Sequence, residues 1–181
     1  IEEFTRPDLW LVPGDATQLH QVLLNLCVNA RDAMPNGGQL ILRASNVILD
    51  EHFQSMHPEA RIGPAVRIEV QDTGTGIPDA VHHQIFESFF TTKGEGVGTG
   101  LGLTTVRGIV QDHGGFVSFT SAIHQGTTFV IHLPAAPEAH GQPGIGEDGA
   151  PIPQGHGELI LVVDDETPIR EATRRTLERH G

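Results

Sequence analysis

The sequence lacks the features that mark several large classes of protein. Its 181 residues include one cysteine, Cys27, which excludes a disulfide within the chain and fits a reducing compartment. No stretch approaches the roughly 18 consecutive apolar residues of a membrane-spanning helix. Lysine and arginine total 11 against 23 acidic residues, a formal net charge of −12, and they form no basic run. We therefore expect a cytoplasmic protein that contacts neither nucleic acid nor a membrane through this region.

Two common phosphate-binding patterns are also missing. The segment GEGVGTGLGL, residues 94–103, has glycine at every second position from Gly94 to Gly102. No register of it gives GxGxxG, and the chain contains no GxxxxGK[ST], so the sequence favours neither a dinucleotide-binding turn nor a P-loop. Glycine permits positive φ and close approach of a ligand, but ordering it is entropically costly. The run is therefore either a phosphate-binding loop of another kind or a flexible joint.

Composition divides the chain into three parts. Residues 135–157 contain six glycines and four prolines and hardly an aliphatic side chain, which is the composition of a linker. Residues 1–134 are long enough for one domain with its own core. Residues 158–181 are too few for an independent core, so we expect the truncated start of a second domain and a longer parent protein.

The first part mixes helical and strand patterns without strict alternation. Residues 15–34 show the apolar period of a helix, with Asp15 as N-cap and Gln18 at capping-box spacing. Strands are predicted at 8–12, 39–48, 65–72, 115–121 and 127–133, and further helices in a short segment from Pro78 and at 101–113. This order predicts an α/β (α+β) fold, a two-layer sandwich of a mixed sheet with helices on one face.

Asp72 ends the strand predicted at 65–72. It shares a face with Val66 and Val70, so its carboxylate should point inward, where an unpaired charge is costly. The partner is either the following DTGTG turn, which the carboxylate would cap, or a ligand. Gly74 and Gly76 would let a flat ligand approach the backbone, and an aspartate that accepts from an exocyclic amine suits adenine.

Asn25 and Asn29 lie one turn apart on the predicted helix 15–34. Asparagine is unfavourable inside helices. Either both are polar side chains on the helix surface, or Asn29, at the edge of the apolar stripe, offers an amide oxygen to Mg²⁺ beside substrate phosphates.

Lys93 offers a positive charge at the entrance of the glycine run. Phe86, Phe89 and Phe90 precede it, and we expect all three to anchor the run in the core. The run leads into the helix predicted from Leu101, whose first N–H groups would be unpaired and so form an anion site.

Four motifs in this order, LHQVLLNLCVNARDAMP, VQDTGTGIP, IFESFFTTK and GEGVGTGLGL, resemble the N, G1, F and G2 boxes of the catalytic ATP-binding domain of sensor histidine kinases. The last two are most similar to the nitrogen-regulation-like subgroup. The resemblance implies a Bergerat-type ATP-binding fold, ATP and Mg²⁺ as ligands, and transfer of the γ-phosphate to a histidine on a separate dimerisation domain. It also implies a homodimeric parent, with or without a membrane anchor.

The resemblance also assigns roles to single residues. Asn29 would hold Mg²⁺, Asp72 would bind the adenine amino group directly or through water, and Asn29 and Lys93 would be catalytic. The implied ATP-binding set is Asn25, Asn29, Asp32, Asp72, Gly74, Gly76, Ile77, Phe89, Thr92, Lys93, Gly98, Thr99, Gly100, Leu101, Gly102, Leu103 and Thr128.

Two positions depart from the family pattern. Many members carry lysine three residues after the metal-binding asparagine, where this chain has Asp32, so Lys93 would supply the phosphate contact. Related ATPases of the gyrase, heat-shock chaperone and mismatch-repair type carry a glutamate base where this chain has Asn25. An amide cannot take a proton, which favours phosphoryl transfer over hydrolysis. An ATPase of that type and a nucleotide-binding scaffold without catalysis are the alternatives.

Residues 158–181, ELILVVDDETPIREATRRTLERHG, resemble the first βα unit of a receiver domain, which would make the parent a hybrid kinase. The resemblance implies that Asp164 and Asp165 bind Mg²⁺ in an intact receiver. None of the eleven histidines stands in a phosphoacceptor context, and His82 and His83 are interpreted as solvated. We therefore expect no autophosphorylation by this chain alone.

Overall fold

The structure, a computed structural model, describes residues 1–92 and 98–137 together with Arg174 and Glu178. The chain forms two compact units, residues 1–140 and 141–181. In the second unit, Arg174 and Glu178 are helical, and Nη1 of the arginine lies 3.0 Å from Oε1 of the glutamate. The predicted site residues Lys93, Asp164 and Asp165 lie outside the described residues.

Five strands of the first unit form one mixed sheet in the order β1-β2-β3-β5-β4. They are β1 (Glu2–Thr5), β2 (Leu40–Leu49), β3 (Gly63–Asp72), β4 (Phe116–Ala122) and β5 (Gly126–Pro134). β1 pairs parallel with β2, and the other pairs are antiparallel. The register sets Val70 between Leu42 and Phe129, so alternate apolar residues of neighbouring strands share one face.

Two long helices cover that face, α1 (Ala16–Ala33) and α3 (Gly102–Asp112), and a short helix α2 (Glu51–Met56) joins β2 to β3. The main core lies between the sheet and the long helices. Its most deeply buried side chains are Val22, Leu26, Val70, Val106, Val110, Ile131 and Leu133. The predicted two-layer sandwich with a mixed sheet is confirmed. None of the helices in the described ranges has the length and hydropathy that a bilayer span requires.

Helix α1 begins where the sequence predicts, but its cap is completed from another helix. Oδ1 of Asp15 accepts from the N–H groups of Thr17 at 2.7 Å and Gln18 at 3.2 Å. The N–H of Asp15 donates to Nε2 of His113 at 3.1 Å, and Nδ1 of that ring donates to the carbonyl oxygen of Ile109 at 2.8 Å. The end of α3 therefore supplies the second half of the predicted capping box in place of the Gln18 side chain.

The strand predicted at 8–12 does not form. The side chain of Asn46 forms hydrogen bonds with the backbone of this segment instead. Its Oδ1 accepts from the N–H of Trp10 at 2.9 Å, and its Nδ2 donates to the carbonyl oxygen of Asp8 at 2.7 Å. Only Leu11 makes an isolated bridge, to Ala136. The edge strand β1 forms earlier in the chain, where residues 2–5 pair with β2 along their whole length.

Helix α2 forms in a segment for which the sequence predicts no regular element. Oδ1 of Asp50 caps it by accepting from the N–H of Phe53 at 2.8 Å. The Phe53 ring lies 5.9 Å from that of Phe116 and 5.3 Å from that of His132, between centroids. By strand parity these two residues face away from α1 and α3. A second, smaller core therefore lies on the outer face, formed by Leu49, Ala60, Ala65 and Phe116.

His132 makes this outer core sensitive to acid. Its side chain is 5% exposed, its ring stacks on Phe116 at 4.7 Å, and Nδ1 has no hydrogen-bond partner among the described residues. Burial, with smaller effects of Arg67 and His57, lowers the pKa of His132 from 6.5 to about 4. The unfolded chain thus takes up a proton below pH 6.5 that the folded chain does not take up until about pH 4. Stability is full above this window and falls as the pH drops through it.

We expect His132→Phe to remove most of this sensitivity. In the parent, this group alone should lower the free energy of unfolding by about 2 kcal/mol between about pH 7 and pH 5. The variant keeps an aromatic ring in the stack and binds no proton. Urea unfolding of both proteins at the two pH values measures the difference. An equal loss in parent and variant would show that another group carries the acid sensitivity.

Candidate functional site

A cleft of about 550 Å³ opens between α1, the turn after β3 and the start of α3. It brings together most of the predicted site residues, namely Asn25, Asn29, Asp32, Asp72, Gly76, Ile77, Thr92, Gly98, Thr99, Gly100, Gly102 and Leu103. Gly74, Phe89, Leu101 and Thr128 do not line it. Lining residues outside the predicted ATP-binding set are Val28, Ala30, Ala33, Thr75, Ile85, Phe90, Thr91, Thr127 and Phe129.

Asp72 brings a buried carboxylate to the cleft. Its side chain is 5% exposed, as strand parity predicts. Oδ1 accepts from the N–H groups of Gly74 at 2.8 Å and Thr127 at 3.3 Å. Burial raises the pKa of Asp72, and these two hydrogen bonds partly oppose the rise. The carboxylate therefore caps the turn through Oδ1, while Oδ2 receives no hydrogen bond from the residues that the structure describes.

The glycines after Asp72 are required mainly by packing. A Cβ on Gly74 would lie 2.6 Å from the carbonyl oxygen of Ala33. Gly76 has φ +72°, and its Cβ would overlap the carbonyl of Ala122. Protein therefore fills the space that the missing side chains leave. Gly74 fits the turn against the end of α1, which is why it does not line the cleft, and Gly76 meets the cleft with its backbone.

Phe89 lies on the surface, so the prediction that all three phenylalanines enter the core is wrong for this one. Phe86 and Phe90 pack against the core, whereas Phe89 is 75% exposed. Its φ is +67°, and its N–H donates to the carbonyl oxygen of Gly100 at 3.0 Å. A Cβ on Gly100 would overlap the Phe89 backbone. The backbone turn that reaches Gly100 directs the Phe89 side chain outward.

Helix α3 begins at the cleft without a side-chain cap. Its N-cap residue, Leu101, makes no side-chain hydrogen bond to the helix, whereas Gly102 and Leu103 line the cleft. The atom nearest to a Cβ on Gly102 would be Nδ2 of Asn29, at 3.9 Å, so this glycine leaves open space. The first N–H groups of α3 are therefore available to an anion.

Asn25 and Asn29 face the first turn of α3 from α1. Nδ2 of Asn25 lies 3.5 Å from the carbonyl oxygen of Gly102, a weak hydrogen bond that links the two helices. Asn29 is half-buried, lines the cleft and makes no side-chain hydrogen bond to a described residue. Its amide oxygen is therefore available to a ligand or a metal ion.

The part of the cleft lining that the structure describes is acidic. Asp32 and Asp72 belong to it, and no lysine or arginine does among the described residues. Nε and Nη2 of Arg31 donate to Oδ1 of Asp32 at 3.0 and 2.8 Å. Asp32 is thus engaged by a neighbouring cation, and within the described lining a phosphate group would depend on backbone N–H groups.

Thr127, rather than the predicted Thr128, lines the cleft. Thr127 is 4% exposed, and its Oγ1 lies 2.9 Å from Oγ of Ser121, its partner across β4 and β5. Thr128 points to the outer face because successive strand residues alternate. Thr127 shares its parity with the buried Phe129, and this alternation is the signal in the sequence that identifies the correct residue.

Comparison with known proteins identifies the family of this chain. Residues 14–137 match the family described as histidine kinase-, DNA gyrase B-, and HSP90-like ATPase. The sensor kinase CckA of Brucella abortus (strain 2308) is 42% identical over 189 residues, which cover 96% of this chain and 19% of that protein. The sensory histidine kinase/phosphatase NtrB of Azospirillum brasilense is 41% identical over 137 residues, 74% of this chain and 32% of that protein.

A solved structure also matches. The crystal structure of full-length ShkA in complex with AMPPNP superposes with a TM-score of 0.57 at 27% identity, covering 99% of this chain and 33% of that one. The chain spans about a fifth to a third of the length of these curated relatives. The resemblance predicted from the four motifs is confirmed: the chain belongs to the family of histidine kinase-, DNA gyrase B- and HSP90-like ATPases, and its matched relatives are sensor histidine kinases.

Proposed function

We propose that this chain is the ATP-binding catalytic domain of a hybrid sensor histidine kinase. The domain transfers the γ-phosphate of Mg-ATP to a histidine on a separate dimerisation domain, for relay to an aspartate of a receiver domain. The observation that carries the proposal is that a buried carboxylate, Asp72, and an uncapped helix N-terminus, that of α3, border one cleft. Adenine suits the first group and phosphates the second. The AMPPNP complex of the matched full-length structure supports this ligand.

The phosphates are held chiefly by backbone groups in this proposal. The first N–H groups of α3 are unpaired, and no basic side chain lines the cleft in the part of the chain that the structure describes. Lys93 directly follows Thr92, which does line the cleft. We therefore assign to Lys93 the charged phosphate contact that the family pattern places at the position of Asp32.

The lining residues fit a magnesium ion that is coordinated mainly by the nucleotide. No group of three or more histidine, cysteine or acidic side chains could hold a metal ion within the described ranges. Magnesium keeps water and phosphate oxygens as ligands and needs only one or two protein donors. The amide oxygen of Asn29 is that donor. When bound, the ion would neutralise charge that develops on the phosphates during transfer.

Transfer to a protein side chain is favoured over hydrolysis because the described residues that line the cleft include no glutamate or histidine to act as a base for water. Asn25 stands where the hydrolytic relatives carry glutamate, and its amide is directed to Gly102. An amide cannot take a proton. Of the two acidic lining residues, Asp72 is bound to backbone N–H groups and Asp32 to Arg31. Phosphoryl transfer mainly requires that the reactants be positioned and that developing charge be stabilised, and it does not require such a base.

We further propose that residues 135–157 are a linker and that residues 158–181 begin a receiver domain, in which Asp164 and Asp165 would bind Mg²⁺. The match to the Brucella sensor kinase supports this division, because it covers 96% of the chain and so extends beyond residue 137. We also propose that the domain works in the cytoplasm, where ATP is available, as part of a homodimeric parent with or without a membrane anchor.

Calorimetric titration with ADP and AMPPNP, with and without Mg²⁺, tests the ligand. A second assay tests the reaction: radiolabelled ATP is mixed with this chain and a histidine-bearing dimerisation domain from a sensor kinase, beside that domain with its histidine replaced. We expect binding that strengthens with Mg²⁺, and label only on the histidine-bearing domain. Steady release of phosphate without an acceptor would favour the hydrolytic ATPase, and nucleotide binding without transfer would favour the scaffold.

A further inference from the structure

Ser121 lies at the centre of a small hydrogen-bond network behind the cleft. Its Oγ accepts from the N–H of Ile77 at 2.8 Å, lies 3.0 Å from the carbonyl oxygen of Gly126, and lies 2.9 Å from Oγ1 of Thr127. Ser121 does not line the cleft, whereas Ile77 and Thr127 do. The network therefore joins the partly buried Ser121 hydroxyl to two residues of the cleft lining.

The proton positions in this network follow from its partners. A serine hydroxyl has one proton to donate and two lone pairs that can accept. The Gly126 carbonyl oxygen can only accept, so the Ser121 hydroxyl donates its hydrogen bond to it. The N–H of Ile77 donates to one lone pair of Ser121 Oγ. The remaining lone pair of Ser121 Oγ accepts a hydrogen bond from the Thr127 hydroxyl. This is the one arrangement that satisfies all three contacts, and it leaves Thr127 Oγ1 with lone pairs alone for the cleft.

Two hydrogen-bond acceptors, Oδ2 of Asp72 and Oγ1 of Thr127, then belong to residues that line the cleft. The N–H of Thr127 donates to Oδ1 of Asp72 at 3.3 Å, which ties the threonine to the carboxylate. No described residue other than Ser121 bonds Oγ1 of Thr127. An amino group on a purine offers two N–H donors to such an edge. A carbonyl oxygen at the same ring position would instead face acceptors, which is unfavourable when the groups are buried.

We propose that Ser121 is a positioning residue that fixes the Thr127 hydroxyl as an acceptor and thereby makes the site select a purine with an amino group at C6. The inference rests on the proposed nucleotide-binding function. Ser121 does not contact the ligand. It acts by accepting a hydrogen bond from the Thr127 hydroxyl, so that the hydroxyl proton points away from the cleft.

The test compares ADP with IDP, which differ only at the C6 and N1 edge of the base. The parent is expected to bind ADP more tightly. In Ser121→Ala the Thr127 hydroxyl can rotate and donate to a carbonyl, so the preference for ADP over IDP should fall about tenfold, the effect of one hydrogen bond. Thr127→Val should lower the preference similarly, and Thr127→Ser should retain it. Titration calorimetry gives the two affinities for each protein.

A double variant separates orientation from a general structural effect. If Ser121 acts through Thr127, Ser121→Ala will have no further effect on the preference in the Thr127→Val background. Ser118→Ala, on the same strand but on the outer face, is the matched control and should behave as the parent. A Ser121→Ala protein that weakens ADP and IDP equally, or that lowers the preference equally in both backgrounds, would overturn the inference. Failure of the parent to bind ADP would overturn the proposed function itself.

Discussion

Replacement of Asp72 by asparagine is expected to abolish nucleotide binding while the fold is retained. The asparagine Oδ1 can still accept from Gly74 and Thr127, but its NH₂ group donates where Oδ2 of the carboxylate accepts. An adenine amine would then meet a donor. We expect the affinity for ADP to fall about 100-fold or more, since a hydrogen bond to a charged group is lost and a buried donor is left unpaired.

The same variant should be at least as stable as the parent at neutral pH. Burial raises the pKa of Asp72, so stability falls as the pH rises through that pKa, and the folded protein carries the cost of the buried charge at neutral pH. Asparagine has no charge to desolvate. Thermal unfolding should therefore show an equal or higher midpoint in the variant. The conserved fold and the lost binding together would separate a ligand group from a structural one.

Asp79→Asn is the control for this experiment. Asp79 stands in the short 3₁₀ turn Asp79–Val81 after the cleft residues, and its side chain is 94% exposed. The same change of carboxylate to amide there should leave ADP affinity unchanged. Titration calorimetry measures the ADP affinity of the parent and the two variants. An Asp72→Asn protein that binds ADP as tightly as the parent does would rule out the adenine assignment.

Replacement of Asn29 by alanine is expected to reduce phosphoryl transfer far more than nucleotide binding. The amide of Asn29 lines the cleft without a protein partner among the described residues, beside the open space at Gly102. Its loss would remove the protein ligand that positions Mg²⁺ against the phosphates. We expect transfer to the histidine-bearing domain to slow about 100-fold or more, while ADP affinity without Mg²⁺ stays near that of the parent.

Transfer rates and ADP affinities at several Mg²⁺ concentrations test this role. Asn36→Ala provides the matched control, because Asn36 lies exposed in the turn that follows α1. It should transfer phosphate at the parent rate. An Asn29→Ala protein with the Mg²⁺ dependence of the parent would contradict a metal-binding role and leave Asn29 as a helix-contact residue beside Asn25.

The main helix and the inward-facing residues of the strands depend on residues that lie near each other in the chain. The apolar period of residues 15–34 and the Asp15 cap fix α1 within one residue of its predicted ends. The two-residue period of β3 turns Asp72 inward, and the same period in β5 turns Thr127 inward. Such features can therefore be predicted from the sequence alone.

Other features arise only from contacts between distant segments. His113 completes the α1 cap from 98 residues away, and Asn46 prevents the strand predicted at 8–12 from across 36 residues. Phe89 is apolar and directly precedes the partly buried Phe90, yet it has a positive φ, its N–H donates to the carbonyl oxygen of Gly100, and its side chain is exposed. The pattern of side chains cannot predict such a reversal, because the partner is a backbone carbonyl.

The sequence by itself thus determined the class of fold, the main helix, and the kind of chemistry, since these follow from periodicity and from motifs of adjacent residues. The tertiary structure decided which of those residues share the cleft, where glycines serve packing, and how the Ser121 network orients Thr127. The physical reason is that hydrogen-bond networks and steric exclusion depend on positions in space, which the register of β4 with β5 and the packing of α1 on α3 establish only when the chain has folded.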